Sequence, residues 1–174
     1  AEVVVNYAHD AAGAAAAAKT ITDEGGKAIV IQADVSKPED IKSLFKQTLK
    51  AVGTIDILVA NSGIQRDARA VDMTLEQWNE VLSVNLTGQF LCAQRAIPLL
   101  KASGNPSIAN LSSAAGRFGF PMRTPYAAAK WGVVGLSKSL AIELGPFGVR
   151  VNAICPGSVA GARIESVYAA KAAA

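Results

Sequence analysis

Tyr126 and Lys130 stand four residues apart in a stretch with helical patterning, so their side chains share one face. A phenol with its ordinary pKa near ~10 is a poor acid or base at neutral pH. An ammonium group ~4 Å away, at an effective dielectric of ~20, contributes roughly 4 kcal/mol. That is about three pKa units, enough to bring the phenol to the range where proton transfer works best. Ser113, at a nearby strand end, offers a hydroxyl to hold a carbonyl oxygen as negative charge develops on it. Taken alone, Tyr126 and Lys130 also read as a surface pair on an amphipathic helix. His9 is the sole histidine, and Cys92 and Cys155 lie 63 residues apart. That spacing forms neither a metal cluster nor a CxxC redox pair, and both thiols read as buried. The chemistry must run without a histidine pair.

Such residues need elements to position them. Apolar runs at Glu2–Asn6, Lys27–Ala33, Ile55–Ala60, Ser107–Leu111 and Val149–Cys155 read as strands. Helical patterns fill the intervals: Asp10–Glu24, then a helix from Pro38 with Ile41, Leu44, Phe45, Thr48 and Leu49 on one face. A further helix runs from Thr74, as the cap of a capping box with Gln77, to about Leu100. Gly88 and Pro98 are its weak points, and the last helix runs from Pro125 to Leu144. Strands that are apolar throughout and alternate with helices predict an open, doubly wound parallel sheet, a Rossmann-like α/β/α fold. Ligands of such sheets gather at the carboxyl ends of the strands. That places Asn6, Asp34, Asn61 to Gly63, Ser112-Ser113 and Pro156-Gly157 at the candidate site; singly, each also suits an ordinary turn.

Composition bounds the partners. The 174 residues are 51% hydrophobic and 18% charged, with 33 alanines, which predicts one packed domain over 1–174 and excludes intrinsic disorder. The 17 basic and 14 acidic residues are interleaved, so the net charge of +3 predicts no nucleic-acid partner. No apolar run reaches the ~20 residues that a membrane span requires. Without a secretory leader pattern, the expected location is the cytoplasm. The chain opens on a core strand rather than on Met, which reads as an excerpt of a longer protein.

Asn85, Ser113, Tyr126 and Lys130 resemble, in order and spacing, the Asn-Ser-Tyr-Lys tetrad of the short-chain dehydrogenase/reductases. VNLTG surrounds Asn85, NLSSAAG carries Ser113, YAAAK holds the last pair, and RVNAICPG follows. The match runs from Glu2 to about Ile164, and is strongest to 3-oxoacyl-[acyl-carrier-protein] reductases and enzymes of the glucose 1-dehydrogenase kind. The resemblance implies hydride transfer between a nicotinamide cofactor and a ketone or secondary alcohol. Tyr126 would be the acid or base, and Lys130 would lower its pKa and hold the nicotinamide ribose. Ser113 would orient the substrate oxygen, and Asn85 would hold a water of a proton relay. Asp34 and Val35 would contact the adenine, Asn61 and Gly63 belong to the ANSG turn, and Pro156, Gly157 and Val159 would line the nicotinamide.

The resemblance also implies what is missing: the family's first β-α unit with its glycine-rich phosphate loop, and its last strand. The strand ending Asn6-Tyr7-Ala8-His9 carries no acid before Asp10. An acid there would bond a ribose 2′-hydroxyl and repel a 2′-phosphate, so NADP(H) is preferred, with NAD(H) possible. Arg117, Phe118, Phe120, Met122 and Arg123 flank the pocket, the arginines either meeting an anionic substrate or lying in a solvated loop. Trp131, Val134, Leu136 and Leu140 serve either subunit contacts of a homotetramer or the chain's own sheet. The other reading is a catalytically silent, truncated relative that persists as a binding or oligomerising module.

Overall fold

Each apolar run forms a strand and each periodic segment a helix. The computed structural model describes residues 1–161 and 165. In chain order these include β1 (Glu2–Tyr7), α1 (Ala11–Asp23), β2 (Lys27–Gln32), α2 (Pro38–Val52), β3 (Ile57–Ala60) and α3 (Leu75–Leu82). There follow α4 (Gly88–Leu100), β4 (Ser107–Leu111), α5 (Thr124–Leu144) and β5 (Arg150–Ile154). The resemblance that runs to about Ile164, and the alanines at 172–174, extend beyond the described residues.

All the strand pairs are parallel, as strands joined by helical crossovers must be. The architecture is therefore a Rossmann-like α/β fold. It departs from the expected single sheet in one respect: β1 pairs with β2, while β3-β4-β5 form a second sheet. Nothing among the described residues lies between β1 and β3 to carry hydrogen bonds from one to the other.

Side-chain alternation defines the faces of the larger sheet. Ile108, Asn110 and Val151 are buried on one side, where α4 and α5 supply Cys92, Ala93, Ala96, Leu140 and Leu144. On the other side Ile57 and Val59 are 59% and 58% exposed. The helix α2 serves both sheets, with Ile41 and Phe45 in the core of β4 and β5 while Leu44 packs on Ile31 of β2 and on Ala33 just after it. Leu136 and Leu140 pack on this chain's own core, whereas Trp131 stays exposed. Cys92 is buried but Cys155 is only half-buried.

The helix after Thr74 starts as expected, with the reciprocal Thr74–Gln77 capping box in place. It does not run unbroken to Leu100. A wide π turn at Ser83–Thr87 separates α3 from α4, and Pro98 remains inside α4. The extra residue of a π turn rotates the helix phase, and here it coincides with a fully buried Asn85.

Ile108 is fully buried at the centre of the β3-β4-β5 core. Ile108→Ala is expected to lower unfolding stability by about 3 kcal/mol, measured by urea unfolding with an unchanged slope.

Candidate active site

The carboxyl ends of the strands converge on the junction between the π turn and α4. Beyond β2, a Cβ on Gly88 would stand 2.7 Å from the Val35 carbonyl oxygen, so only glycine permits that approach. Beyond β3, Asn85 grips the backbone of Ile64: its Oδ1 accepts from Ile64 N at 2.8 Å and its Nδ2 donates to Ile64 O at 2.9 Å. At the end of β4, Lys130 Nζ donates to Leu111 O at 2.6 Å. Beyond β5, Pro156 O accepts from Ala114 N at 2.8 Å.

Lys130 is the hub of this edge. It is 3% exposed although it carries an ammonium group, and a buried charge is tolerated only where polar partners replace water. Its backbone is fixed as well, because Ser112 Oγ donates to Lys130 O at 2.7 Å. Gly116 lies so close that a Cβ there would meet that same carbonyl at 2.7 Å. One helical turn earlier, the Tyr126 ring centroid lies 5.6 Å from Lys130 Nζ. Ser113 follows Ser112 directly and caps the turn Ala114–Gly116, its Oγ accepting from Ala115 N at 3.1 Å. Tyr126 and Lys130 are thus a pair inside a strand-end site, and Asn85 and Ser113 sit on the segments that bound it.

The expected cofactor contacts divide between two regions. An ideal Cβ on Gly63 would lie 3.5 Å from Asn85 Oδ1 and 3.6 Å from Lys130 Nζ. The glycine therefore leaves a small cradle beside an ammonium donor, which fits a hydroxylated ribose. Pro156 is half-buried, while Gly157 and Val159 are exposed. Asn61 is exposed at the end of β3. On the smaller sheet, Asn6 Nδ2 braces the β2 exit by donating to Ile31 O at 3.2 Å and Ala33 O at 3.0 Å. Val35 belongs to the core. The nicotinamide ribose thus finds a glycine-lined gap beside Lys130 Nζ, whereas at the expected adenine end Asn6 Nδ2 is bound to backbone and Val35 is buried in the core. For the pyrophosphate between them, no helix N-terminus among the described residues stands between β1 and β3.

Asp34 is held by its own loop. Its Oδ1 accepts from Ser36 N at 2.9 Å and Ser36 Oγ at 2.7 Å. Burial pushes its carboxyl upward, but the Ser36 hydrogen bonds, with the charges of Lys37 and His9, outweigh that and hold it below 3.8. Burial alone pushes the Cys92 thiol up to about 11, which makes it a packing group rather than a nucleophile.

Of the pocket-flanking residues, Arg123 is engaged, with Nη2 3.5 Å from Asp67 Oδ2. Next to it Ala68 N donates to Met122 O at 3.0 Å, and Met122 adopts a left-handed φ of 63°. These contacts clasp the loop after β3 to the segment before α5. Sequence reasoning placed Ser112 at the strand end without a part of its own, and gave no role to Gly116 or Gln89. Gln89 is 2% exposed and donates from Nε2 to Leu111 O at 3.2 Å. A polar residue between the apolar positions of α4 was the available signal.

Because the carboxyl of Asp34 is held below its ordinary value, it adds stability that is complete above that value and is lost as pH falls through its folded pKa. Asp34→Asn should therefore narrow the stability difference from the parent chain as pH drops from about 6 towards 3. Urea unfolding across that range checks this; a difference that widens towards acid contradicts it.

Comparison with known proteins agrees with this geometry. The family model described as short chain dehydrogenase matches residues 1–172. The 3-oxoacyl-[acyl-carrier-protein] reductase of Synechocystis sp. is 42% identical over 168 residues, covering 97% of this chain and 68% of that protein. The reductase of the same name from Staphylococcus aureus is 39% identical over 157 residues, covering 90% of this chain and 64% of its own. The chain thus spans about two thirds of the length of these curated relatives. Among solved structures, acetoin dehydrogenase YohF from Salmonella typhimurium superposes with a TM-score of 0.85 at 32% identity, covering 91% of this chain and 63% of that one. The parallel strands, the strand-end Ser-Tyr-Lys grouping and these matches agree: the chain belongs to the short-chain dehydrogenase/reductase family.

Proposed function

We propose that the protein acts as an NADP(H)-preferring oxidoreductase, with NAD(H) as a possible second cofactor. Its substrate is a ketone or secondary alcohol, of the 3-oxoacyl thioester type named for its curated relatives or of the sugar dehydrogenase type. The observation that carries this reading is the buried Lys130 ammonium, fixed on Leu111 O one turn from Tyr126. A structural lysine would gain nothing from such burial, whereas a proton-transferring phenol gains a neighbouring cation.

The bound cofactor supplies the hydride. The chain's own residues do the rest. Tyr126 gives a proton to the carbonyl oxygen, or takes one from the alcohol. Lys130 bonds the ribose hydroxyls in the Gly63 cradle. Ser113 Oγ, once it turns from Ala115 N, donates to the substrate oxygen. Asn85 keeps the loop after β3 in place, and its Oδ1 has a second lone pair for a water in a proton relay. Pro156, Gly157 and Val159 pack on the nicotinamide, while Asp34 and Val35 bound the adenine. Asn6 and Asn61 mark the two edges of the gap between them.

The pyrophosphate is held by residues upstream of Ala1, in the β-α unit that the family resemblance implies. Self-association belongs to the same reading. Phe90 on α4 and Trp131 on α5 are 42% and 54% exposed and are assigned to contacts within a homotetramer in the cytoplasm.

Tyr126→Phe, in the polypeptide carrying its upstream residues, is expected to lower kcat on a 3-oxoacyl thioester about a thousandfold. NADPH affinity, read by fluorescence quenching, should stay within about threefold. Retained turnover would remove Tyr126 from the proton step. The same titration on the 174-residue chain should show weak or no quenching by NADPH. Tight quenching by that chain would place the pyrophosphate donors within it.

A further inference from the structure

Two consecutive residues at the start of the helix that carries Tyr126 break local rules. Met122 holds a left-handed φ of 63°, a conformation that is strained for a residue with a bulky side chain. Arg123 follows it as the N-cap of α5. Ser, Thr, Asp and Asn are favoured at that position because their oxygens accept from the first free N–H groups. Arg123 makes no such bond, and the first turn of α5 holds no acidic residue. A guanidinium there also opposes the helix dipole, whose positive pole lies at this end. Such departures persist only where the surrounding structure enforces them, and they gather at functional sites. Tyr126 lies three residues further on.

The enforcing structure is the loop after β3. Ala68 N donates to Met122 O at 3.0 Å and holds the strained residue from outside. Asp67 Oδ2 stands 3.5 Å from Arg123 Nη2, and the Arg123 side chain is only 17% exposed. Arg123 O in turn accepts from Ala127 N at 2.8 Å, closing the turn that contains Tyr126. The loop has anchors of its own. Asn85 clamps its start at Ile64 through both amide atoms. Arg66 forks onto Glu80 of α3, with Nε 2.9 Å from Oε2 and Nη2 2.6 Å from Oε1. Gln65 Nε2 reaches both oxygens of Asp67, at 2.7 and 2.9 Å, and orients the carboxylate that meets Arg123. Contacts therefore run without a break from Asn85, through the loop, to the first turn of α5.

We propose that Arg123 is a positioning residue for Tyr126, and that it acts through Asp67. The inference rests on the reading above in which Tyr126 transfers a proton. The pair ties the first turn of α5 to the loop that Asn85 holds, and so fixes where the phenol stands across the site from Asn85. In this role Arg123 touches no reacting atom. It acts on geometry, and a shift of ~1 Å at a reacting group is enough to slow a reaction by up to ~100-fold. The strain at Met122 and the uncapped turn are what this placement costs the local fold.

The test is a double-mutant cycle of Arg123→Gln and Asp67→Asn in the polypeptide carrying its upstream residues. It is read by turnover of a 3-oxoacyl thioester and by amide hydrogen exchange. Either substitution should lower kcat about tenfold, while KM for NADPH stays within about threefold. The double variant should fall no further than the single ones, since its second change removes a contact already lost. Arg123→Lys keeps the charge, and the contact is a single long one rather than a fork. It should therefore hold kcat within about threefold of the parent. Exchange at Ala68 and Ala127 should speed about tenfold in both single variants. Unchanged kcat in Arg123→Gln overturns the proposal, as do losses that multiply in the double variant. So does a rise in substrate KM that Asp67→Asn does not share, since Arg123 would then meet an anionic substrate directly. The exchange rates need neither cofactor nor turnover. Unchanged rates at Ala68 and Ala127 overturn the clasp whether or not the polypeptide reduces the thioester, so its failure is told apart from failure of the hydride-transfer reading.

Discussion

A single buried ammonium group organises the edge formed by the strand ends. Desolvating Lys130 costs several kcal/mol unless polar atoms replace its water, and the fold arranges those atoms at the end of β4. Leu111 O accepts from Nζ, while Ser112 Oγ secures the lysine's own carbonyl. The segment after β4 must then turn sharply over α5, which Gly116 alone permits against Lys130 O. Ser113 and Tyr126 take their places from this arrangement. Removing the charge would relieve the burial cost and at the same time dissolve the reason for the turn. The proposed chemistry and the local fold therefore rest on the same contact.

The second constraint is the unbridged gap in the sheet. Hydrogen bonds do not cross it, so the halves are joined by side-chain packing. α2 carries most of that duty, presenting Ile41 and Phe45 to one core and Leu44 to the other. The close approach of Gly88 to Val35 adds a second tie, at the ligand-bearing edge.

The parallel fold was legible because β1, β2 and β3 are built on continuous apolar runs and the intervening segments carry clear helical periods. Tyr126 and Lys130 were legible by spacing, and Asn85 and Ser113 by their resemblance to family motifs. The π turn at Ser83–Thr87 was not, since Ser-Val-Asn-Leu-Thr continues the helical pattern and only the inward position of Asn85 reveals the change of phase. Ser112 and Gln89 were illegible for a related reason. Their partners, Lys130 O and Leu111 O, are backbone atoms, and backbone acceptors leave no trace in residue types. Arg123 read either as a cation meeting an anionic substrate or as part of a solvated loop; the fold brings it to Asp67, 56 residues away.

The position of the gap gives the site a property that neither half has alone. Asp34 sits at the exit of β2 on the smaller sheet, and Lys130 is anchored to β4 on the larger one. A dinucleotide that met both would span the joint between the sheets, so its affinity depends on how rigidly the joint is held. Ordering two loosely coupled bodies on binding costs conformational entropy.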